Sequence, residues 1–233
     1  PLHIGVFVDE IYDIGRIENV HWNPWWSMSE QLFKWQMENG VGFIFGRTDW
    51  HYVLNTFCFG YNVGYKFTKT EKGATNGNFL GIGADDCYTA VVVEDSAPYG
   101  ILITNGEFVS FHGPDPTMVR VAPSHSGTVR FVNCAFWGPC NRNAFIEGNG
   151  TVGFSDCTFV QWGRNDMGLY AIHATGGKVL VRGCEFKKDR PQVYLGKGVT
   201  SAVVTDNLIE GKKRISNKTF RRAIVRNNAS TRK

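Results

Sequence analysis

The sequence predicts an all-β chain wound as a solenoid of the parallel β-helix type. The main observation is a recurring phrase, which reads Asn-Cys-Ala-Phe at 133–136, Asp-Cys-Thr-Phe at 156–159 and Gly-Cys-Glu-Phe at 183–186. A run of alternating apolar residues precedes each copy, and short turns rich in Gly and Asn join it to another apolar run upstream. A strand-containing repeat of this spacing indicates a solenoid, in which each coil packs only on its neighbours.

Weaker copies extend the repeat along nearly the whole chain. The residue aligned with the repeated cysteine is, in order, Val20, Thr56, Cys87, Gly106, Cys134, Cys157, Cys184, Asn207 and Asn228. This alignment predicts about nine coils, each with two strands joined by a tight corner and followed by a longer loop. It assigns Asp86 to the turn position of Asn133 and Asp156, and it leaves Asp85 with an outward side chain because side chains alternate along a strand.

One segment has helical rather than strand character. Residues 29–38 read Ser-Glu-Gln-Leu-Phe-Lys-Trp-Gln-Met-Glu. Ser27 or Ser29 is suited to cap the start of a helix, and Gly40 is suited to end it. We therefore expect one inserted helix near residues 28–39, between the first and second coils.

Four of the six cysteines share one repeat position, so they are expected to stack in a column. They are Cys87, Cys134, Cys157 and Cys184. Free cysteine packs well as a small buried residue, and the sequence favours a reduced inward ladder over disulfides. Cys58 and Cys140 lie off the column. Neither Cys-x-x-Cys nor His-Glu-x-x-His occurs, so we expect no metal site and no cofactor.

Length and composition bound the domain organisation and the partners. We expect residues 1–233 to form one β-helix domain. The absence of a long apolar run argues against a membrane partner. The net charge is only +4, and the basic residues of the C-terminal tail are not interleaved with aromatic ones, which argues against nucleic acid.

The first residues already read as a strand with no cap in front of them. Because a solenoid needs a cap over its end, we expect a fragment of a longer chain, whose N-terminal coils or cap would be a further partner. We also expect a secreted or periplasmic protein, although no signal peptide is visible in these residues.

The stacked phrases, with Asn, Asp or Gly before the column and Phe two residues after it, make the chain similar to the pectate lyase-like superfamily of right-handed parallel β-helices. The resemblance covers nearly the whole chain. It implies a single-stranded right-handed solenoid that binds or cleaves a polysaccharide or oligosaccharide in a groove along one face. The string Gly-Ala-Asp-Asp at 83–86 resembles the Gly-x-Asp-Asp string of polygalacturonases in part.

Glycoside hydrolysis needs two carboxylates, about 5 Å apart for retention of configuration and about 6.5–9.5 Å apart for inversion. Neighbouring coils lie about 4.8 Å apart, so acids on adjacent coils suit either reaction. The densest acids are Asp9 and Asp13 in the connector of the first coil, and Asp49 lies in the aligned connector of the second. We predict Asp49 as one catalytic residue, paired with Asp9, Asp13 or Asp85.

Basic and aromatic residues beside these acids are candidates for binding the substrate. They are Arg16, Trp25, Trp26, Arg47, Trp50 and His51. The alternative is that the connector acids cap turns and that Trp25 and Trp26 pack the inserted helix. A further candidate surface is the stack of loops at 137–142, 161–166 and 187–190, where Trp and Arg recur; it reads either as a sugar-binding ridge or as loops paired through Arg and Asp.

The predicted function is glycoside hydrolysis by a carboxylate acid/base pair. A polysaccharide lyase acting on uronic-acid polymers is the nearest enzymatic alternative, and it would add Ca²⁺ held by acids. A non-catalytic β-helix, such as a tailspike-like protein or an adhesin, is the alternative outside enzymology. Seven tryptophans and 14% aromatic residues favour sugar binding over that last possibility.

Overall fold

The computed structural model describes residues 2–24 and 29–232. It is a parallel β-solenoid of about 8 turns with 54% of its residues in strands, which confirms the predicted fold class. Each coil contains three strand segments rather than two, and in two coils the first two segments join into one long strand. The solenoid therefore has three flat faces, here called walls 1, 2 and 3. Walls 1 and 2 belong to one continuous sheet, and wall 3 is a separate nine-stranded sheet.

Parallel pairing between equivalent strands builds every wall. Wall 1 consists of Ile4–Val8, Val41–Phe45, Val63–Phe67, Thr89–Val93, Thr117–Val121, Arg142–Ile146, the first parts of Ile172–Arg182 and Val193–Thr205, and Ile215–Asn217. Wall 2 consists of Ile14–Glu18, Asp49–Leu54, Gly77–Leu80, Ile101–Thr104, Thr128–Val132, Thr151–Ser155, the second parts of the same two long strands, and Ala223–Arg226. Wall 3 consists of His21–Trp22, Phe57–Phe59, Gly83–Cys87, Glu107–Ser110, Ala135–Phe136, Thr158–Phe159, Glu185–Phe186, Leu208–Lys212 and Ala229–Arg232.

Two elements leave this pattern. Lys69–Thr70 and Gly73–Ala74 form a short antiparallel hairpin. The helix Glu30–Asn39 is inserted between the first and second coils, and Ser29 caps it by accepting the backbone N–H of Leu32 at 3.3 Å, as the sequence predicts. No helix among the described residues is long and apolar enough to cross a membrane.

The corner between walls 2 and 3 is the origin of the repeated phrase. One residue per coil has a left-handed backbone there, with φ between 50° and 65°: Asn19, Asn55, Gly81, Asn105, Asn133, Asp156, Gly183, Asp206 and Asn227. Asn, Asp and Gly tolerate this conformation better than other residues. Their side chains also link coils, because the Asn55 amide donates to Asn19 and the Asn133 amide donates to Asn105, both at 2.8 Å.

The third coil corrects the predicted alignment. Gly81, not Asp86, occupies the left-handed corner, and the backbone N–H of Gly81 donates to Thr104 of the next coil at 2.9 Å. Ile82 therefore holds the position assigned to Cys87. The predicted alignment was wrong here because Asp86 resembles the Asn or Asp found at other corners, whereas this coil has Gly at its corner. Asp86 also has a positive φ, of 57°, but it results from the β-bulge described below.

Stacked apolar side chains fill the space between the walls. One phenylalanine per coil stacks on the next in four successive coils: Phe108, Phe136, Phe159 and Phe186. The ring centroids of consecutive members are 5.4, 5.0 and 4.9 Å apart. All six cysteines are free and buried, which confirms the reduced interior. Cys134, Cys157 and Cys184 form the expected column, whereas Cys87 lies outside it and beside Cys58.

Candidate functional site

A groove on the outer face of wall 3 brings together acids and an aromatic ring. It has a volume of about 250 Å³ and spans the second to fifth coils. Its lining residues are Asn55, Thr56, Phe57, Gly81, Ile82, Gly83, Ala84, Asp85, Asn105, Glu107, Val109 and Trp137. Because side chains alternate across a strand, the column residue and the Phe of each phrase fill the core, while the residue between them faces this groove.

A β-bulge shapes the floor of the groove. Ala84 pairs with Phe108 and Cys87 pairs with Ser110, so Asp85 and Asp86 together oppose only Val109. A bulge bends its strand and redirects the side chains on it. The positive φ of Asp86 belongs to this bulge, and the two consecutive acids consequently face different surroundings.

Asp85 is the acid that faces the groove. Its partial burial raises its pKa above the ordinary value of 3.8, and a hydrogen bond from the backbone of Asp86 offsets only part of that effect. A carboxyl group in such surroundings holds its proton to higher pH and is suited to donate it.

Glu107 lies on the next coil and faces the same groove. It pairs with Gly83, two residues before Asp85. Coils about 4.8 Å apart and a two-residue offset of about 6.6 Å give a Cα separation of about 8 Å between Asp85 and Glu107. Trp137 is 42% exposed, and its indole N–H donates to Oε2 of Glu107 at 3.3 Å. The ring therefore forms an exposed apolar surface beside an oriented carboxylate.

Asp86 turns away from the groove towards His112. Nε2 of His112 is 2.6 Å from Oδ1 of Asp86, an ion-pair contact without the alignment of a hydrogen bond. Burial raises the pKa of the Asp86 carboxyl, and the charge of His112 opposes that rise. His112 in turn lines a second cavity of about 310 Å³, with Phe111, Gly113, Pro116, Arg164 and Asn165.

A larger depression of about 610 Å³ lies on the same wall over the last coils. Its acids already have partners: Glu185 pairs with Lys187 at 2.9 Å, and Glu210 accepts the Thr231 hydroxyl at 3.1 Å. Glu185 pairs with Leu208, so Glu210 has the same two-residue offset on the next coil that separates Asp85 from Glu107. What distinguishes the smaller groove is Asp85, whose pKa is raised by burial. The smaller groove is therefore the better candidate for acid/base catalysis, although it has less volume than the depression.

The connector cluster predicted from the sequence is partly assembled. Asp9 accepts the backbone N–H of Arg47 at 2.7 Å and the Thr70 hydroxyl at 3.0 Å. Burial raises the pKa of Asp9, but these hydrogen bonds outweigh it and lower the pKa overall. Asp49 accepts the Asn76 amide at 2.6 Å and lies 3.7 Å from the guanidinium of Arg47. The geometry of Asp9 is that of a turn cap between coils.

The other predicted residues of the connectors have different partners. Asp13 is exposed and caps its own turn through the N–H of Ile14, and Arg16 pairs with Glu18 at 3.4 Å. Trp50 is 59% exposed, and its N–H donates to Tyr52.

His51 is buried, and neither of its ring nitrogens has a hydrogen-bond partner among the described residues. Burial lowers its pKa, so the structure gives it the surroundings of a core residue. Trp25 and Trp26 lie outside the described residues.

The loop ridge divides into paired arginines and one exception. Arg142 pairs with Asp115 at 2.7 Å, and Arg190 pairs with Asp166 at 2.5 Å. Trp162 is fully buried rather than exposed for sugar contact. These parts of the ridge fit the interpretation of loops paired through Arg and Asp. Arg164 is the exception, since its guanidinium donates to the carbonyl oxygen of Phe111 and has no ion pair with an acid among the described residues.

Sequence reasoning found Asp85 but missed Glu107 and the contact between His112 and Asp86. One signal was present for Glu107, because it occupies the variable position of the phrase, which faces out in every coil. Nothing local predicts the contact of His112, since it joins residues of different coils through the bulge.

In the described part of the chain, no group of three or more His, Cys, Asp or Glu side chains is arranged to hold a metal ion. Comparison with known proteins adds no identity: no family model, no curated protein and no solved structure matches this chain.

Proposed function

We propose that this protein is a carbohydrate-active member of the pectate lyase-like superfamily, and specifically a glycoside hydrolase that cleaves a polysaccharide or oligosaccharide in the wall 3 groove. One observation carries the proposal: Asp85 and Glu107, on adjacent coils, line a single groove beside an exposed tryptophan. A pair of carboxylates across a groove is the arrangement that glycoside hydrolysis requires.

The two acids differ in surroundings and therefore in role. Asp85, whose pKa is raised by burial, is the proton donor to the glycosidic oxygen. Glu107, which is exposed and accepts the Trp137 N–H, is the base that takes a proton from the attacking water. The Cα atoms of the two acids lie about 8 Å apart, and carboxyl groups held at that spacing leave room for the water, so the proposed stereochemical outcome is inversion.

Trp137 supplies the binding surface. Its exposed ring presents an apolar face against which a sugar ring packs, while its N–H keeps the base oriented. Asp86 and His112 support the donor from behind, because their ion pair fixes the bulge on which Asp85 lies.

The connector cluster at Asp9 and Asp49 is the second location for an acid pair. Its carboxylates already accept hydrogen bonds from Arg47, Thr70 and Asn76. Those bonds would have to break or rearrange for proton transfer, which favours the groove over the connectors.

A panel of neutral and uronic polysaccharides tests the proposal, with reducing ends and ultraviolet absorbance followed together. New reducing ends without absorbance support hydrolysis. Reducing ends with absorbance of an unsaturated product would establish the lyase alternative, and Ca²⁺ dependence would then be measured by adding a chelator. Binding without any product would support a tailspike-like or adhesin role.

A further inference from the structure

The outer face of wall 2 carries an uncharged, largely apolar stretch between two opposite charges. One outward column follows the pairing register from Glu18 in the first coil to Arg182 in the seventh. Between these two charges the column carries Leu54, Leu80, Thr104, Val132 and Ser155. Leu80 is 44% exposed and Val132 is 36% exposed. An exposed apolar patch on a flat sheet indicates a surface that another molecule covers.

A second outward column lies beside the first. It passes through Arg16, Tyr52, Asn78, Leu102, Arg130, Gly153 and Leu180 in the same seven coils. Leu102, in the fourth coil, is 37% exposed. Arg130 extends over the sixth coil, because a Cβ added at Gly153 would lie 3.3 Å from Nη1 of Arg130. Neither Arg130 nor Arg182 has an ion pair among the described residues.

Both columns are self-complementary about the fourth coil. When two copies pack face to face, a two-fold axis along the fourth strand of wall 2 reverses the order of the coils and keeps each column opposite itself. The third coil then faces the fifth, so Leu80 meets Val132 of the other copy. The first coil faces the seventh, so Glu18 meets Arg182. Leu102 meets its own counterpart on the axis, and every other contact occurs twice.

The remaining positions also suit contact between two copies. The second coil faces the sixth, which Arg130 covers, so the guanidinium of Arg130 meets the ring of Tyr52 in a cation–π arrangement. Asn78 faces the backbone position of Arg130 and offers it a hydrogen-bond acceptor. No pair of facing positions in either column joins like charges, so nothing in these columns opposes the arrangement.

The size of the face fits a dimer of moderate affinity. Seven coils about 4.8 Å apart, with strands of about five residues, make a face of about 34 Å by about 17 Å, or roughly 1,100 Å² for two copies. A specific interface should exceed about 1,000 Å². Two sheets pack about 10 Å apart when their strands run within about 30° of each other, and this axis keeps the strands of the two copies parallel.

We propose that two copies of this chain dimerise through the outer faces of wall 2, with their solenoid axes antiparallel and the two-fold axis at Leu102. A second copy is the occupant because the charges that end the apolar stretch, Glu18 and Arg182, complement the same stretch reversed. The inference is independent of the proposed function, since the groove lies on wall 3 and remains open in the dimer.

Sedimentation velocity of the purified chain tests the inference. We expect a monomer–dimer equilibrium with a Kd between about 1 and 100 μM. Leu102→Glu places two carboxylates opposite each other on the axis and should raise the Kd about tenfold or more. Ile224→Glu is the matched control, because Ile224 is a 49% exposed apolar residue of the same wall in the ninth coil, beyond the face. It should change the Kd less than about twofold.

A charge exchange tests the register of the two copies. Glu18→Arg and Arg182→Glu each place like charges opposite each other and should weaken the dimer, whereas the double variant should recover the wild-type Kd within about twofold. Denaturant unfolding of each variant checks that the fold is kept. A monomer at every concentration, an open series of larger oligomers, equal effects of Leu102→Glu and Ile224→Glu, or a double variant no tighter than the single ones would overturn the inference.

Discussion

The substitution Asp85→Asn is expected to remove most hydrolytic activity without weakening the fold. Asn keeps the shape of the side chain but has no acidic proton to give to the glycosidic oxygen. The partner Glu107, the Trp137 contact and the bulge remain in place. The change therefore isolates proton donation from the geometry of the groove.

The expected size of the effect follows from the role of a general acid. Positioned acid–base groups contribute about 10²- to 10⁴-fold to a rate, which corresponds to about 2.7–5.4 kcal/mol of transition-state free energy. Stability should move the other way or not at all. Burial raises the pKa of Asp85 above 3.8, so its ionised form is less favourable in the folded chain than in the unfolded chain.

The pH dependence of stability gives a second signature. For a group with a raised folded pKa, the stabilising contribution is complete below the unfolded pKa and is lost as pH rises through the folded pKa. The wild type should therefore lose some unfolding free energy as pH rises from about 3.8 through the raised pKa of Asp85. Asp85→Asn should lack that loss.

The assay measures release of reducing ends and denaturant unfolding on the same preparations, with Asp49→Asn as the matched control. Asp49 is also a part-exposed wall acid, and it accepts a hydrogen bond that Asn can still accept. Wild-type activity in Asp85→Asn, or a loss of activity confined to Asp49→Asn, would refute the groove and favour the connector cluster.

Three further outcomes follow from the fold. Phe159→Ala should lower the unfolding free energy by about 3–5 kcal/mol, because the ring is fully buried between two stacked neighbours; Phe159→Leu should cost less, and equal costs would contradict the stacking argument. A Cβ added at Gly81 would meet nothing within 4 Å, so the positive φ is the source of any cost. Gly81→Asn should therefore leave the unfolding free energy nearly unchanged, whereas Gly81→Val should lower it by about 1–2 kcal/mol. Asp9→Asn should lower the unfolding free energy by about 1 kcal/mol at neutral pH. Because the pKa of Asp9 is lowered in the folded chain, its ionised carboxylate stabilises the fold at neutral pH and this contribution is lost as pH falls through the folded pKa, so the difference between variant and wild type should shrink. A difference that does not change with pH would show that the carboxylate charge does not stabilise the fold.

The sequence predicted the parts of the fold that repeat. The corner residue must adopt a left-handed backbone in every coil, which restricts it to Asn, Asp or Gly, and the Phe of the phrase must stack on its counterparts. Those constraints leave a readable pattern. The third strand of each coil was missed because several of these strands are only two residues long, too short for any alternation to show.

The site was predictable only in part, because it depends on a departure from the repeat. Asp85 could be assigned an outward side chain from alternation alone. The bulge could not be predicted, since it consists of one extra residue whose type carries no signal, and the same extra residue made Asp86 resemble the corner of another coil. The partnership of Asp86 with His112 depends on coil stacking over more than twenty positions of sequence.

The bulge at Asp85 and Asp86 also has an evolutionary meaning. Two residues oppose one there, so deleting Asp86 alone would let Ala84, Asp85 and Cys87 pair one to one with the next coil. The scaffold could thus exist without the second acid, and the insertion of a single codon would create it. A new pair of functional groups can arise in a solenoid through a change in length at one coil, while every other coil keeps its register.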